Sequence, residues 1–178
     1  GLVNWQRSVK SDLEVAFIRR AAKIVDAMHA KVFELVEPGM AKNALIAEVQ
    51  KQSILGADGQ WGDYAAFVPM APSGQDATAP HLTWDDRPFK KGEGTFFELG
   101  GCYRRYHAPL SRTVYLGKPP QKFLDAEKAA LSATSAGLEA AKPGKTCGDV
   151  ADAFFDELKR RGFEKDSRTG YSIGLSYP

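Results

Sequence analysis

Apolar residues recur at three- and four-residue spacing over 13–35, and this spacing predicts one long amphipathic helix. Ser11 followed three positions later by Glu14 is a capping-box pattern that marks the start of this helix, whereas Pro38-Gly39 marks its end. The apolar spacing resumes over 42–52 and is then interrupted by glycines, so a second helix is predicted there.

The middle of the chain follows a different pattern, because Pro and Gly separate short runs of β-branched and aromatic residues between 63 and 117. Two of these runs, 94–99 and 110–116, are predicted to be neighbouring strands. Helical spacing returns between Pro120 and Pro143, and a last helix is predicted from near Thr146.

The order of helix, Pro-Gly turn and helix therefore occurs twice, with Pro38 and Pro143 in matching positions 105 residues apart. We interpret this as an internal duplication and predict an α+β fold built from a repeated unit of two helices and a set of strands. We expect one catalytic domain over residues 1–178. The second copy lacks the strands of the first, so we also expect the natural protein to continue beyond Pro178.

Composition limits the classes of partner. The 178 residues are 43% hydrophobic and 26% charged with a net charge of +2, which argues against disorder and coiled coil. Basic residues are scattered, so neither nucleic acid nor an acidic membrane is an expected partner. The expected partner is a small-molecule substrate. No apolar run is long enough to span a membrane and no signal-peptide pattern is present, so a cytoplasmic location is predicted.

Candidate chemistry begins with the three histidines. His81 lies in a stretch rich in Pro, Gly and Asp just before the strands, where scaffolds often present functional side chains, and a catalytic role and a plain loop position are about equally compatible with that setting. His29 fits a position on the surface or at the boundary of a helix, and His107 a solvated hairpin end. The two cysteines, 45 positions apart, indicate neither a zinc site nor a disulfide.

Glu98 is the most unusual acid, because it ends an apolar run and is followed by Leu99 and two glycines. A partly buried carboxylate needs a cationic or hydrogen-bonding partner. The alternatives are a functional carboxylate and a structural ion pair with Arg112 or Arg104. The pair Asp85-Asp86 is expected to cap a turn.

At these residues a family resemblance becomes clear. The block 97–113, FELGGCYRRYHAPLSRT, resembles the central signature of the creatinase, prolidase and methionine aminopeptidase superfamily, and 169–175, TGYSIGL, resembles its later Gly-His-Gly-Ile-Gly signature. The resemblance implies the pita-bread fold, which is itself a duplicated α+β unit.

The departures from the family pattern are informative. Metal-dependent members have Asp at the position of Glu98, a second Asp at that of Pro109 and a metal-binding His at that of Tyr171. Proline has no donor atom, so the resemblance implies that a two-metal centre is not retained. We predict no metal and no cofactor. Creatinase, the metal-free branch, uses as acid and base the His that matches His81.

Further segments resemble the ectoine hydrolase branch of this superfamily: 62–64 (GDY), 69–74 (PMAPSG), 80–86 (PHLTWDD) and 170–178 (GYSIGLSYP). This resemblance implies opening of a cyclic amidine to an N-acetylated diaminobutyrate. A protonated amidine carbon is already electrophilic, so it needs a positioned nucleophile and a proton shuttle rather than a Lewis acid.

The implied roles are as follows. Glu98 faces the amidinium as ion-pair partner or nucleophile, and His81 activates water and returns the proton. Arg112 orients Glu98 or binds the substrate carboxylate, Tyr171 hydrogen-bonds the substrate, and Trp84 lines the pocket. The resemblance also implies a homodimer and a further domain upstream.

Three alternatives remain. An Xaa-Pro dipeptidase or aminopeptidase would require the metal ligands that Pro109 and Tyr171 replace. A creatinase would have Glu where Ser111 stands. A member of the superfamily that has lost catalysis would bind a ligand without turnover.

Overall fold

The computed structural model describes residues 1–176, so the last two positions of the 170–178 motif lie outside it. Its elements, in chain order, are the helices α1 (Leu2–Ser8), α2 (Asp12–Leu35) and α3 (Lys42–Leu55), a 3-10 helix (Gly74–Thr78), strands β1 (Gly94–Tyr103) and β2 (Tyr106–Tyr115), and helices α4 (Gln121–Ala140) and α5 (Cys147–Arg160). Two compact units are formed: one by Gly1–Lys118 together with the described residues from Ser172 onward, the other by Pro119–Tyr171.

The first unit is organised around an antiparallel hairpin. β1 pairs with β2 without a bulge from Gly94 opposite Tyr115 to Tyr103 opposite Tyr106, so the strands are neighbours as predicted but longer. The connecting residues Arg104 and Arg105 both have positive φ, 48° and 68°, as a two-residue turn of type I′ requires.

Helix α2 packs on one face of this hairpin. Its start is fixed by the predicted capping box, in which Ser11 and Glu14 bond each other's backbone N–H groups. Gly101 of β1 permits the close approach, because a Cβ there would lie 2.1 Å from the Ala21 carbonyl oxygen. The core contains apolar residues from α2, α3 and β1, all at most 2% exposed: Ile24, Val25, Met28, Val32, Leu45, Ile46, Val49, Phe97 and Leu99.

A short extended segment, 70–73, lies along the other edge of β1. Met70 bridges to Glu98 and Ser73 to Thr95, both antiparallel. Phe96 N–H also donates to the Pro72 carbonyl at 3.1 Å. β1 therefore has backbone partners on both sides around Glu98.

The second unit is built from α4 and α5. Ala129, Ala133 and Leu158 are buried between them, with Phe154 and Phe163 packed against the group. Thr146 and Asp149 form a capping box at the start of α5, where the sequence predicted the start of a helix. The end of α4 and both ends of α5 fall 105 positions after the corresponding ends of α2 and α3, which matches the predicted repeat. Within residues 1–176, no helix is long and apolar enough to cross a membrane.

Candidate active site

Glu98 lies on the face of the hairpin opposite α2. Successive side chains of a strand alternate between faces, and Phe97 and Leu99 are buried in the core on the α2 side. Glu98 therefore points to the other face, which we call the outer face. It is half-buried there, as the sequence predicted.

The outer face also contains Pro109. Glu98 stands opposite Ser111 and Gly100 stands opposite Pro109, so Glu98 and Pro109 are diagonal neighbours on adjacent strands, within reach of one another's side chains. The two positions that resemble the family's aspartates thus share one face of the hairpin.

The donor groups on this face do not fit the metal centre of the metal-dependent members. Glu98 supplies a carboxylate and Ser111 a hydroxyl, but Pro109 supplies no donor atom. Among the described residues, no three His, Cys, Asp or Glu side chains converge in a way that could hold a metal ion. A two-metal centre needs several such ligands directed at both ions.

The backbone of Glu98 is fixed on its 70–73 side by a reciprocal pair of hydrogen bonds. Met70 N–H donates to the Glu98 carbonyl at 3.0 Å, and Glu98 N–H donates to the Met70 carbonyl at 3.1 Å. The side chains of Ser73 and Thr95, three residues further along the pairing, are buried and bond at 2.8 Å. The segment that leads to His81 is therefore attached to the strand that carries Glu98.

His81 is exposed in the turn after the 3-10 helix. The chain then returns to the body of the unit at Pro88, which bridges to Ala41 at the start of α3. Trp84, between these points, is half-buried and packs against the main core.

Arg112 stands opposite Phe97, so its side chain leaves the hairpin on the α2 face and not on the outer face. It is exposed, and its Nη1 donates to the Ser111 carbonyl at 2.7 Å. The strand register therefore does not support a direct contact through which Arg112 orients Glu98.

Tyr171 belongs to the second compact unit. Its ring is 41% exposed, and the Arg168 guanidinium lies 5.0 Å from the ring centroid. The structure thus places His81, Glu98, Arg112 and Trp84 in the first unit and Tyr171 in the second.

Phe67 is a residue of the outer face that sequence reasoning missed. A Cβ built on Gly100 would lie 2.6 Å from the Phe67 ring, so the ring occupies the space of the missing side chain. Gly100 is paired with Pro109, which places the Phe67 ring beside the position where the family has its second aspartate. A glycine in the interior of a strand often marks such a close approach.

His107 was predicted to be a solvated hairpin end, and that prediction is wrong, because the side chain is fully buried. Its Nε2 accepts a hydrogen bond of 2.9 Å from Ala66 N–H, so the ring proton must be on Nδ1. The backbone N–H of His107 donates to the Gly174 carbonyl at 2.8 Å. Burial lowers the pKa of His107. Through its hydrogen bond to the Ala66 N–H, the neutral imidazole fixes the position of the residue that directly precedes Phe67.

The two remaining predictions concern His29 and Asp85. The prediction that His29 lies on the surface or at the boundary of a helix is wrong, because the residue is buried at 3% exposed. Its Nε2 lies 2.9 Å from the Leu110 carbonyl oxygen, so it joins α2 to β2. Asp85 caps a turn as predicted, because its Oδ1 accepts the Arg87 N–H at 3.0 Å.

Comparison with known proteins gives one family. The model of metallopeptidase family M24 matches residues 16–178. The chain is 51% identical over 183 aligned positions to the ectoine hydrolase of Halomonas elongata, covering 99% of this chain and 46% of that protein. It is 36% identical to the uncharacterized hydrolase/peptidase y4tM of Sinorhizobium fredii, covering 99% and 45%. The chain spans about half the length of the curated relatives it matches.

Solved structures agree with this result. The prolidase from Pyrococcus furiosus superposes with a TM-score of 0.86 at 25% identity, over 98% of this chain and 51% of that one. The predicted pita-bread fold is confirmed. On the family match, the identity to relatives and the shared fold together, the chain belongs to metallopeptidase family M24.

Proposed function

We propose that the full-length protein is a hydrolase that opens the cyclic amidine ring of ectoine to N-acetyl-2,4-diaminobutyrate. The identity of 51% to an ectoine hydrolase over 99% of this chain supports the reaction. The observation that carries the proposal is the outer face of the hairpin, where Glu98 is kept as a carboxylate and Pro109 replaces the second acidic ligand.

This face suits an amidinium. A half-buried carboxylate stabilises a nearby cation more strongly than one in bulk water does, and an amidinium is planar with two N–H donors for the carboxylate oxygens. Because the cationic amidine carbon is already electrophilic, the reaction needs no Lewis acid. We therefore propose that the hydrolysis is independent of metal.

In the proposed reaction, the water oxygen adds to the amidine carbon while His81 takes one proton from that water. The ring C–N bond then breaks, the former amidine carbon becomes the acetyl carbonyl, and His81 returns the proton to the leaving nitrogen. Glu98 either pairs with the amidinium throughout or adds its carboxylate oxygen to the amidine carbon first. In that second case the ring C–N bond breaks as His81 passes a proton to the leaving nitrogen, and His81 takes a proton back from the water that then cleaves the bond to Glu98. Tyr171, Arg112 and Trp84 stay predictions as substrate-binding residues, as do the homodimer and the cytoplasmic location.

The test is NMR of ectoine incubated with the full-length protein in excess EDTA, comparing wild type with Glu98→Gln and His81→Ala. We expect turnover by the wild type and a loss in kcat/KM of about a hundredfold or more in each variant, the usual range for removing a general acid or base. Glu48→Gln, on the surface of α3, and Leu82→Ala, an exposed neighbour of His81, are matched controls that should retain activity.

The contrary results are distinct. Full turnover by Glu98→Gln would refute the role of this carboxylate, and an unaltered His81→Ala would do the same for the base. Ring opening that disappears in EDTA and returns with manganese or zinc would refute metal independence. Metal-dependent cleavage of an Xaa-Pro dipeptide without ring opening of ectoine would favour a second candidate, an Xaa-Pro dipeptidase. The similarity to the prolidase structure favours that candidate, whereas Pro109 argues against it.

A further inference from the structure

His81 lies in the middle of a loop with an aspartate at each end. Asp76 is in the 3-10 helix and Asp85 directly follows Trp84. We call residues 76–85 the His81 loop. The chain just before it is attached to β1 through Ser73 and Thr95.

A single guanidinium joins the two ends of this loop. Arg87 Nε donates to Asp85 Oδ2 at 2.7 Å, and Arg87 Nη2 bonds both Asp85 and Asp76. The side chains of Arg87, Asp76 and Lys42 line one polar cavity of about 120 Å³. Arg87 therefore holds the first and last residues of the His81 loop together.

The Asp85 end is itself fixed to helix α3. Lys42 Nζ lies 3.2 Å from Asp85 Oδ1, and the Lys42 side chain is only 5% exposed. The Asp85 carbonyl also accepts the Asn43 N–H at 3.0 Å. Asp85 cannot move away from α3 without breaking these bonds. Because Arg87 bonds both Asp85 and Asp76, it also restricts the movement of Asp76 relative to α3.

The exposure of the network indicates what these ion pairs do. The Arg87 side chain is 59% exposed and that of Asp76 is 33% exposed, and ion pairs of this kind add little to the free energy of unfolding. Two carboxylates on one guanidinium do, however, restrict geometry, and the ammonium of lysine cannot reproduce that fork. The main effect of these ion pairs is therefore to restrict the conformation of the His81 loop.

We propose that Arg87 is a positioning residue, which holds the His81 loop in the conformation in which His81 acts on the substrate. This inference rests on the proposed function. A general base displaced by about 1 Å loses much of its effect, so a loop free to move would reduce turnover while the protein stays folded.

The test compares Arg87→Met and Arg87→Lys with wild type in the full-length protein, by NMR of ectoine ring opening. We expect kcat/KM to fall about three- to tenfold in both, with little change in the thermal midpoint. Lys90→Met is the control: Lys90 lines the same cavity, is 67% exposed and lies 3.9 Å from Glu93, outside the loop. It should retain wild-type activity.

Two further readouts separate positioning from a general structural role. Hydrogen exchange of the amides in 77–84 should accelerate in Arg87→Met while that of β1 and β2 does not. In a His81→Ala background, Arg87→Met should cause no further loss, because Arg87 acts through His81.

Each failure has its own meaning. If the wild type does not open the ring of ectoine, the proposed function fails. If His81→Ala is fully active, the role of His81 as the base fails, and the positioning role of Arg87 fails with it. If His81→Ala is impaired while Arg87→Met and Arg87→Lys are fully active, only the positioning role fails. An equal further loss in the His81→Ala background, or unchanged exchange in 77–84, also overturns it. Arg87→Lys keeps the test decisive if Arg87→Met does not fold.

Discussion

Two adjacent glycines of β1 determine what each face of the hairpin can contact. Gly101 faces α2, where a Cβ would collide with the backbone at Ala21 and Val25, and Gly100 faces the Phe67 ring. A helix backbone cannot yield as a flexible side chain can. The two positions therefore have different roles. Gly101 allows the close packing of α2, and Gly100 leaves space for the Phe67 ring at the candidate site.

We predict that Gly101→Ala lowers the free energy of unfolding by about 1–3 kcal/mol, the usual cost of overpacking a core. Gly137→Ala in α4 is the matched control. A Cβ there would lie 3.6 Å or more from its neighbours, and alanine is the better helix former, so a gain of about 0.5–1 kcal/mol is expected. Urea unfolding measures both, and a Gly101→Ala protein as stable as wild type would contradict the close packing of α2.

At this scale the sequence could predict Glu98 but not its neighbours. An acid within an apolar run is a local signal, whereas the roles of Phe67 and His107 depend on contacts with residues more than thirty positions away. Which face of the hairpin the Arg112 side chain occupies depends on how β1 and β2 are paired, and the two-residue turn at Arg104-Arg105 sets that pairing. Two arginines at positive φ are not the usual residues of such a turn.

Among the elements, the helices were the easiest to predict, because a capping box is a pattern within four residues. The capping box at Ser11 is confirmed, and the predicted helix start near Thr146 also has one. Helix α1 was missed, since it has seven residues, no side-chain cap and no buried face. The segment 70–73 was missed because its partners are on another element, and because Pro72 within it and Pro69 just before it are unfavourable in strands.

We predict that Thr146→Ala lowers the stability of the second unit by about 1 kcal/mol, because the Asp149 N–H loses its acceptor. Thr134→Ala provides the comparison. Thr134 is exposed within α4 and bonds the Ala130 carbonyl of its own helix, so its removal should be neutral or slightly stabilising. Hydrogen exchange of α4 and α5 resolves the effect, and equal results for the two variants would mean that the cap adds nothing.

For the molecule as a whole, buried histidines link stability to pH. His29 and His107 are at most 3% exposed, and desolvation lowers the pKa of both. Below about pH 6.5 the unfolded chain binds these protons, whereas the folded protein binds them only at a lower pH. The stability that these two histidines contribute should therefore be nearly constant above pH 6.5 and decrease as the pH falls below it.

Urea unfolding between pH 7.5 and about pH 5.5 tests this prediction. The window avoids carboxylates such as Glu157, whose pKa is lowered to about 2 by hydrogen bonds from Ser132, Arg161 and Arg160. His107→Gln, which keeps an acceptor for the Ala66 N–H and removes the titration, should show a smaller decrease. If the free energy of unfolding of His107→Gln decreased with pH as steeply as that of the wild type, the pH dependence would come from groups other than His107.

The equal spacing of the two helical pairs has a consequence for evolution. α3 and α5 have the same length, and their bounds keep one offset although no residue of one is identical to its counterpart in the other. One inserted residue would rotate the rest of a helix by about 100° and remove its apolar side from the core. We therefore expect insertions in these helices to be less well tolerated than substitutions that keep the apolar side, so homologues that differ in length should carry their gaps in the loops and leave 42–55 and 147–160 uninterrupted.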